Sequence, residues 1–276
     1  MVYAGTQGGG VMRSDDCGRT WRPAGLDGCT VNSLSVSRAE PGVVYAGTKP
    51  ALVFVSRDRG AHWTELDAFR RIPVRRFLGT VTYVKAIAPS PTDPNVISVG
   101  IEGIATVRST DGGKTWTGHL KGALRDCHTL ISHPTDGDWV YEAGGTGGGA
   151  AFSQDAGRTW TQHKSGLDRH YGWACAADPE DPEVWYVSVS PGPWKAHSKN
   201  NAQAYIFRST DGGWRRLAGG LPQPLDHMPY ALLTGAPGHL YAGLSNGEVW
   251  RSEDYGESWQ RLPFGLRRIA RALILL

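Results

Sequence analysis

Residues 14–21 read SDDCGRTW: a serine, an aspartate two residues on, a glycine two further, and a tryptophan that closes the octapeptide. The same pattern, Ser-x-Asp-x-Gly-x-x-Trp, returns along the chain. The first copy fixes Ser14, Asp16, Gly18 and Trp21; the copy at 56–63 fixes Ser56, Asp58, Gly60 and Trp63. At 109–116 it is Ser109, Asp111, Gly113 and Trp116; at 153–160, Ser153, Asp155, Gly157 and Trp160; at 252–259, Ser252, Asp254, Gly256 and Trp259. A clipped copy at 209–214 keeps Ser209, Asp211, Gly213 and Trp214 with two residues missing before the tryptophan. Successive copies start 42 to 56 residues apart. A period in that range means stacked or radial repeats, each too small to bury its own apolar face.

The flanks repeat too. Two short runs precede each copy, as in VVYAGT then ALVFVS or HLYAG then EVWRS, and a third follows the tryptophan, as in WTEL. A fourth run opens each unit: VNSLSVS, YVKAIAPS, CHTLISH, YGWACAA and YALLTG. All are rich in Val, Ile, Tyr and Trp and bounded by Gly, Pro and Asp, so they read as strands joined by turns. Four strands in about 45 residues make one propeller blade.

The octapeptide then falls between the third and fourth strands, where the chain reverses. Glycine at the fifth position takes positive φ without a Cβ clash. Ser and Asp bond the backbone of their own turn. The tryptophan supplies apolar surface to bury against the blade. Turn chemistry accounts for every fixed position.

This pattern resembles the Asp-box, or BNR repeat, of sialidases and other propellers. The whole chain is similar to bacterial WD40/YVTN/BNR-like repeat proteins of the sialidase-like superfamily. The resemblance implies that the boxes lie on the edge of the propeller, away from the face that carries a site.

The expected fold is all-β: one six-bladed β-propeller of four-stranded antiparallel blades over residues 1–276. MVYAGT matches the second strand of a blade, so the first blade lacks its innermost strand. Near the end, RALIL aligns by pattern with YALLT of residues 230–234. The C-terminal segment is therefore expected to supply the missing strand by pairing with the N-terminal blade, which removes a free sheet edge.

Net charge is +3, and no basic run is interleaved with aromatics, so nucleic acid is not an expected partner. No apolar run is long enough to span a membrane. Met1 leads almost directly into a strand, with no signal-peptide pattern. Cys17, Cys29, Cys127 and Cys175 show no CxxC spacing. These features read as a reduced, cytoplasmic monomer, while the resemblance, with its many secreted members, leaves secretion open. GGKT at 112–115 lacks the first glycine of a phosphate loop, and GGTGGG at 144–149 joins two strands rather than a strand and a helix. Both read as turns.

Turns of a four-stranded meander alternate between two faces. The boxes hold one face; the loops between second and third strands and the blade-to-blade connectors form the other, where a site is expected. Segment 65–83 carries Arg70, Arg71, Arg75 and Arg76. Segment 190–204 carries Trp194, Lys195, His197 and Lys199. Three shorter segments bring Asp126 and His128, Asp168 and His170, and Asp226 and His227 to the starts of inner strands, with Glu102 and Tyr230 nearby.

Four readings of this mouth stand side by side. One is a site for an anionic small molecule or a sugar, built from Arg71, Arg75, Arg76, Asp126, His128, Asp168, His170, Lys195, His197, Asp226, His227 and Tyr230. A second is a divalent metal held by His128, His170, His197 and His227 with carboxylates beside them, serving a lyase on acidic sugars. A third is sialidase-like glycoside hydrolysis, which the resemblance suggests through FRRIP at 69–73 and its Arg71. That motif follows the second box, whereas the family places it before the first. The fourth is a protein-interaction scaffold without catalysis. Loop Arg, His and Asp are often only solvated or paired with each other, and that plain reading covers part of the set.

Overall fold

The structure, a computed structural model, describes residues 1–73, 76–77, 79–145, 148–211 and 213–275, apart from the side chains of 76 and 77. Among the described residues six antiparallel blade sheets follow one another along the chain, with a small hairpin of Arg76–Phe77 and Thr80–Val81 before the third, and neighbouring inner strands pack side by side around a central channel. The first blade contains Val2–Gly5, Val11–Ser14 and Arg22–Pro23. The second contains Thr30–Val36, Val44–Lys49, Val53–Ser56 and Thr64–Glu65. Val84–Pro89, Ile97–Ile101 and Ala105–Ser109 build the third. Cys127–Ser132, Val140–Gly144, Ala150–Ser153 and Thr161–Gln162 build the fourth. The fifth is Tyr171–Ala177, Trp185–Ser190, Tyr205–Thr210 and Gly213–Leu217. The sixth is Pro229–Thr234, Leu240–Leu244, Glu248–Ser252 and Gln260–Gly265. Helix among the described residues is confined to a 3-10 turn, Asp67–Arg71, and the single turn Pro193–Ala196. The protein is thus the six-bladed, all-β propeller expected from the repeats.

The third blade completes its fourth position without regular strand. The Thr117 N–H donates to the Arg108 carbonyl at 2.9 Å and the Leu120 N–H to that of Thr106 at 3.1 Å.

The first blade is completed differently. In the second strands, a glycine lets the next blade's inner strand approach closely: a Cβ on Gly5 would strike Val31, on Gly47 Val84, and on Gly100 Cys127. In the sixth blade the corresponding Gly243 faces Ile269 and Leu273, so the C-terminal segment sits where the first blade's inner strand belongs. Ile269 is buried there with Ala231 and Val249. The expected strand pairing takes another form: the segment is extended but not a regular strand, and among the described residues its anchors are side chains. Packing, rather than a ladder, fills the gap.

Apolar side chains from facing blades make up the core. The largest cluster lies between the fifth and sixth blades, around Tyr186, Ile206, Leu225, Met228 and Leu240. Each such side chain, fully buried, contributes roughly 1.5–3 kcal/mol. Cys127 and Cys175 are buried free thiols within these clusters.

Five boxes share one hydrogen-bond network. In the third, Ser109 Oγ donates to Asp111 Oδ1 at 2.8 Å, and the Gly113 N–H donates to Ser109 Oγ at 2.8 Å. Asp111 also accepts the Thr115 N–H at 2.9 Å and its hydroxyl at 2.6 Å. These donors hold the Asp111 carboxyl, and likewise that of Asp16, down at about 2. The fourth box position is left-handed as well as the fifth: φ is 58° at Cys17, 60° at Arg59, 71° at Gly112, 58° at Ala156 and 58° at Tyr255. Among the described residues the clipped copy lacks this network. Ser209 Oγ bonds the Glu183 carbonyl, and Thr210 pairs with Gly213 in a hairpin. Burial of the box tryptophans varies, from Trp160 in the core to Trp21, which is exposed. Box turns bond the loops between first and second strands, as in the Ala156 N–H to the Asp138 carbonyl at 2.8 Å, which fixes the boxes on one face.

Candidate functional site

Every complete inner strand carries a bulge near its start. Register shifts fall between Val31 and Ser33, Val84 and Ala86, Cys127 and Thr129, Gly172 and Cys175, and Pro229 and Ala231. The residues inside them are Asn32, Lys85, His128, Trp173 with Ala174, and Tyr230. A bulge re-aims a side chain, and here it turns a row of dissimilar residues toward the channel. Arg271 on the C-terminal segment joins the row through a 2.8 Å bond from Nη1 to the Asn32 carbonyl.

Trp173 lies at the centre. Its ring is 4.3 Å from that of His128, 4.8 Å from Tyr230 and 5.0 Å from His197, and Lys85 Nζ sits 4.2 Å above it. On one side of this plug is a channel of about 340 Å³, walled by Asn32, Lys85, His128, Trp173 and Arg271.

The chemistry gathers beside the plug. Glu102, from the loop after Ile101, and Asp126 approach His128; one oxygen or nitrogen from each lies within 4.8 Å of the other two. His128 Nε2 is 3.5 Å from Asp126 Oδ2, and His128 Nδ1 is 2.7 Å from the Gly172 carbonyl. A carbonyl only accepts, so Nδ1 carries the proton and Nε2 presents a lone pair. Burial pushes the Asp126 carboxyl up, against the pull of His128, and pushes the His128 imidazole down, against the pull of Asp126. Both move toward their neutral forms, so their contact is not an ordinary ion pair. Lys85 Nζ is 3.3 Å from Glu102 Oε2 and is buried; burial lowers its pKa while Glu102 raises it. Glu102 Oε2 makes no hydrogen bond.

His197 extends the site. Its Nε2 is 3.0 Å from Tyr171 Oη and its Nδ1 2.7 Å from Tyr230 Oη, which is also 3.1 Å from the Ala196 carbonyl. One arrangement satisfies every proton: Tyr230 donates to Ala196, His197 Nδ1–H to Tyr230, and Tyr171 to His197 Nε2. Burial lowers the His197 pKa, as does Lys85, which suits this neutral ring. The short helix Pro193–Ala196 leaves Trp194 92 % exposed.

Of the residues singled out in the sequence, Asp126, His128, His197 and Tyr230 come together here. The four histidines do not converge: His170 is exposed, and His227 is half-buried with Nδ1 unpaired. The metal-type cluster is instead Glu102, Asp126 and His128. Asp168 pairs with Arg169 at 2.6 Å in the open, and Asp226 is exposed. Lys195 is half-buried on the short helix, and Arg71 is exposed on the 3-10 turn. In FRRIP, Phe69 and Ile72 are buried, Phe69 packing edge-on against Trp116 at 5.2 Å, so its apolar residues serve the core. Arg75 and the side chain of Arg76 lie outside the described residues. Sequence reasoning missed Lys85, Trp173 and Gly145. A lysine inside an apolar strand and a glycine run were the available signals. A Cβ on Gly145 would lie 2.1 Å from Asp126 Oδ2 and 2.9 Å from His128 Cε1, so its bare backbone forms one wall of the site.

The ring of blades and the repeated closed turns define a BNR-like, Asp-box β-propeller. The family model described as BNR/Asp-box repeat matches residues 107–117. In sequence, the chain is 25% identical over 248 residues to xyloglucanase Xgh74A of Acetivibrio thermocellus, covering 76% of this chain and 29% of the relative. It spans less than a third of the length of the curated relatives it matches. In structure, it is similar to the GH74 enzyme of Niastella koreensis, with a TM-score of 0.70 and 16% identity over 94% of this chain and 43% of that one. It is also similar to YCF48 bound to D1 peptide, with a TM-score of 0.66 and 17% identity over 94% and 76%. At these identities the structural matches speak to fold. No described helix is long and apolar enough to cross a membrane.

Proposed function

We propose that this propeller binds a saccharide at the mouth of its central channel, with Glu102 and Asp126 accepting hydroxyl protons and the partly buried Trp173, backed by Tyr171 and Tyr230, offering its ring to the sugar's C–H surface. The observation that carries this reading is the meeting of two carboxyl groups with an aromatic floor in one mouth. That mix of apolar wall and few convergent polar groups is the make-up of a small-molecule site. The sequence relationship to xyloglucanases agrees with it.

A neutral sugar fits better than an anionic one. Lys85 is engaged by Glu102, Arg169 by Asp168 and Arg70 by Glu65, and Arg271 on the channel wall is held by the Asn32 carbonyl, while two carboxyl groups face the ligand. The carboxyl oxygens lie within 4.8 Å, short of the roughly 6.5–9.5 Å of inverting glycosidases and nearer the roughly 5–5.5 Å of retaining ones. Less than a third of either relative's length is matched by this chain, so binding rather than cleavage is the activity proposed.

Calorimetric titration with xyloglucan oligosaccharides tests it, with product analysis alongside. Saturable binding that Trp173→Phe and Tyr230→Phe weaken supports the reading. Absence of binding to xyloglucan, cello- and acidic oligosaccharides overturns it. Product release would show that the mouth also cleaves.

A further inference from the structure

We infer that Glu102, Asp126 and His128 form a binding site for a divalent first-row metal ion, Zn2+ or Mn2+, at the channel mouth. The spacing is right for one ion. Nε2 of His128 and Oδ2 of Asp126 are 3.5 Å apart, long for a hydrogen bond but close to the ~3.4 Å edge of a tetrahedron whose metal bonds are ~2.1 Å. Glu102 offers a third ligand atom within 4.8 Å of both, which a small side-chain shift brings inside the ~4.2 Å span of two ~2.1 Å metal bonds.

The histidine is set for ligation. The Gly172 carbonyl, 2.7 Å from Nδ1, fixes the tautomer and aims the Nε2 lone pair at the two carboxyl groups. Metal-binding histidines are held by this same outer hydrogen bond. The ring cannot turn away: it is buried between Tyr171 at 5.1 Å and Trp173 at 4.3 Å. A lone pair facing carboxyl oxygens across 3.5 Å is an arrangement that either a proton on Asp126 or a metal cation reconciles, and metal titration tells the two apart. Glu102 Oε2, buried and without a hydrogen bond of good geometry, has only the Lys85 ammonium at 3.3 Å as its partner and is a second candidate ligand.

Two oxygens and one imidazole suit Zn2+ or Mn2+ better than Ca2+, which prefers all-oxygen cages, or copper(I), which prefers sulfur. The bare Gly145 backbone leaves room for a further ligand, water or a sugar hydroxyl. Lys85 is the competing cation. Its ammonium, 3.3 Å from Glu102, raises the cost of bringing in a second positive charge.

The test is titration of chelator-treated full chain with ZnCl2 and with MnCl2, each variant checked for folding by circular dichroism. Wild type is expected to bind one equivalent of at least one ion. Asp126→Asn and Glu102→Gln, which preserve shape, each weaken binding at least tenfold; Asp168→Asn leaves it unchanged; Lys85→Met strengthens it. X-ray absorption of the zinc-loaded protein shows nitrogen and oxygen neighbours only. The inference is overturned if wild type takes up neither ion, if Asp126→Asn and Glu102→Gln bind like wild type, or if sulfur ligates. Saccharide titration repeated in chelator keeps the two readings apart, because loss of metal uptake and loss of sugar binding are then read separately.

Discussion

Arg271 donates from Nη1 to the carbonyl of Asn32, 2.8 Å away and 239 residues earlier in the chain. This bond ties the C-terminal segment to the second blade across the place where the first blade lacks an inner strand. Ile269, two residues before, is buried against the sixth blade. Truncating a buried Ile to Ala costs about 2–5 kcal/mol, and removing residues 268–276 exposes the whole seam. Ile269→Ala should therefore unfold at clearly lower denaturant, and the truncated chain lower still. Unchanged midpoints for both would mean that the ring does not depend on this segment.

The left-handed fourth position of the boxes predicts a stabilising change. Ala156 sits at φ 58°, where an L-residue with a Cβ pays about 1 kcal/mol and glycine pays almost nothing. The third box already has Gly112 there. Ala156→Gly should raise stability by up to about 1 kcal/mol, and Ala156→Val should lower it by more. Thermal melts of the pair decide this; the same sign for both variants would contradict the strain argument.

The box pattern made the blades countable because turn chemistry leaves a local imprint. Ser, Asp and Gly bond within one octapeptide, so their spacing survives as a sequence signal. The site left no such imprint. Lys85, His128, Trp173 and Tyr230 share one bulge position, but their chemistry differs from blade to blade, so no repeat announces them. Glu102 and Asp126 meet only because adjacent blades close together. The four histidines looked equivalent on paper because each stands near the start of an inner strand. The bulge turns His128 inward, whereas His170 lies just ahead of its strand and faces solvent.

Glu142 gives a pH signature. It is fully buried in the fourth blade, where its carboxyl oxygens lie 2.6 Å from Thr106 Oγ1 and 2.7 Å from the Leu124 N–H. Burial outweighs these partners and raises its pKa to about 7, from the ordinary 4.5. The folded state then keeps a proton that the unfolded chain has released. Its contribution is fully present below about pH 4.5 and is lost as pH rises through about 7. The linked change is on the order of 3 kcal/mol at most. Glu142→Gln, which cannot ionise, should flatten the slope of stability against pH across this window. Parallel slopes for wild type and variant would mean that Glu142 is ionised throughout.

Gly145 offers a way to close the mouth without substituting any polar group in it. Its φ lies outside the left-handed region, so alanine is allowed by the backbone. The new methyl would meet Asp126 Oδ2 at 2.1 Å, and His128 and Tyr171 carbons at 2.9 Å each. The carboxylate is the freest of these and must swing aside, carrying its oxygen away from Glu102 and His128. Gly145→Ala should thus weaken saccharide and zinc binding at least tenfold while shifting the melting midpoint by only a few degrees. A control, Gly192→Ala, adds a methyl where nothing lies within 4 Å and should bind normally. Equal binding by both variants would move the ligand site away from this wall.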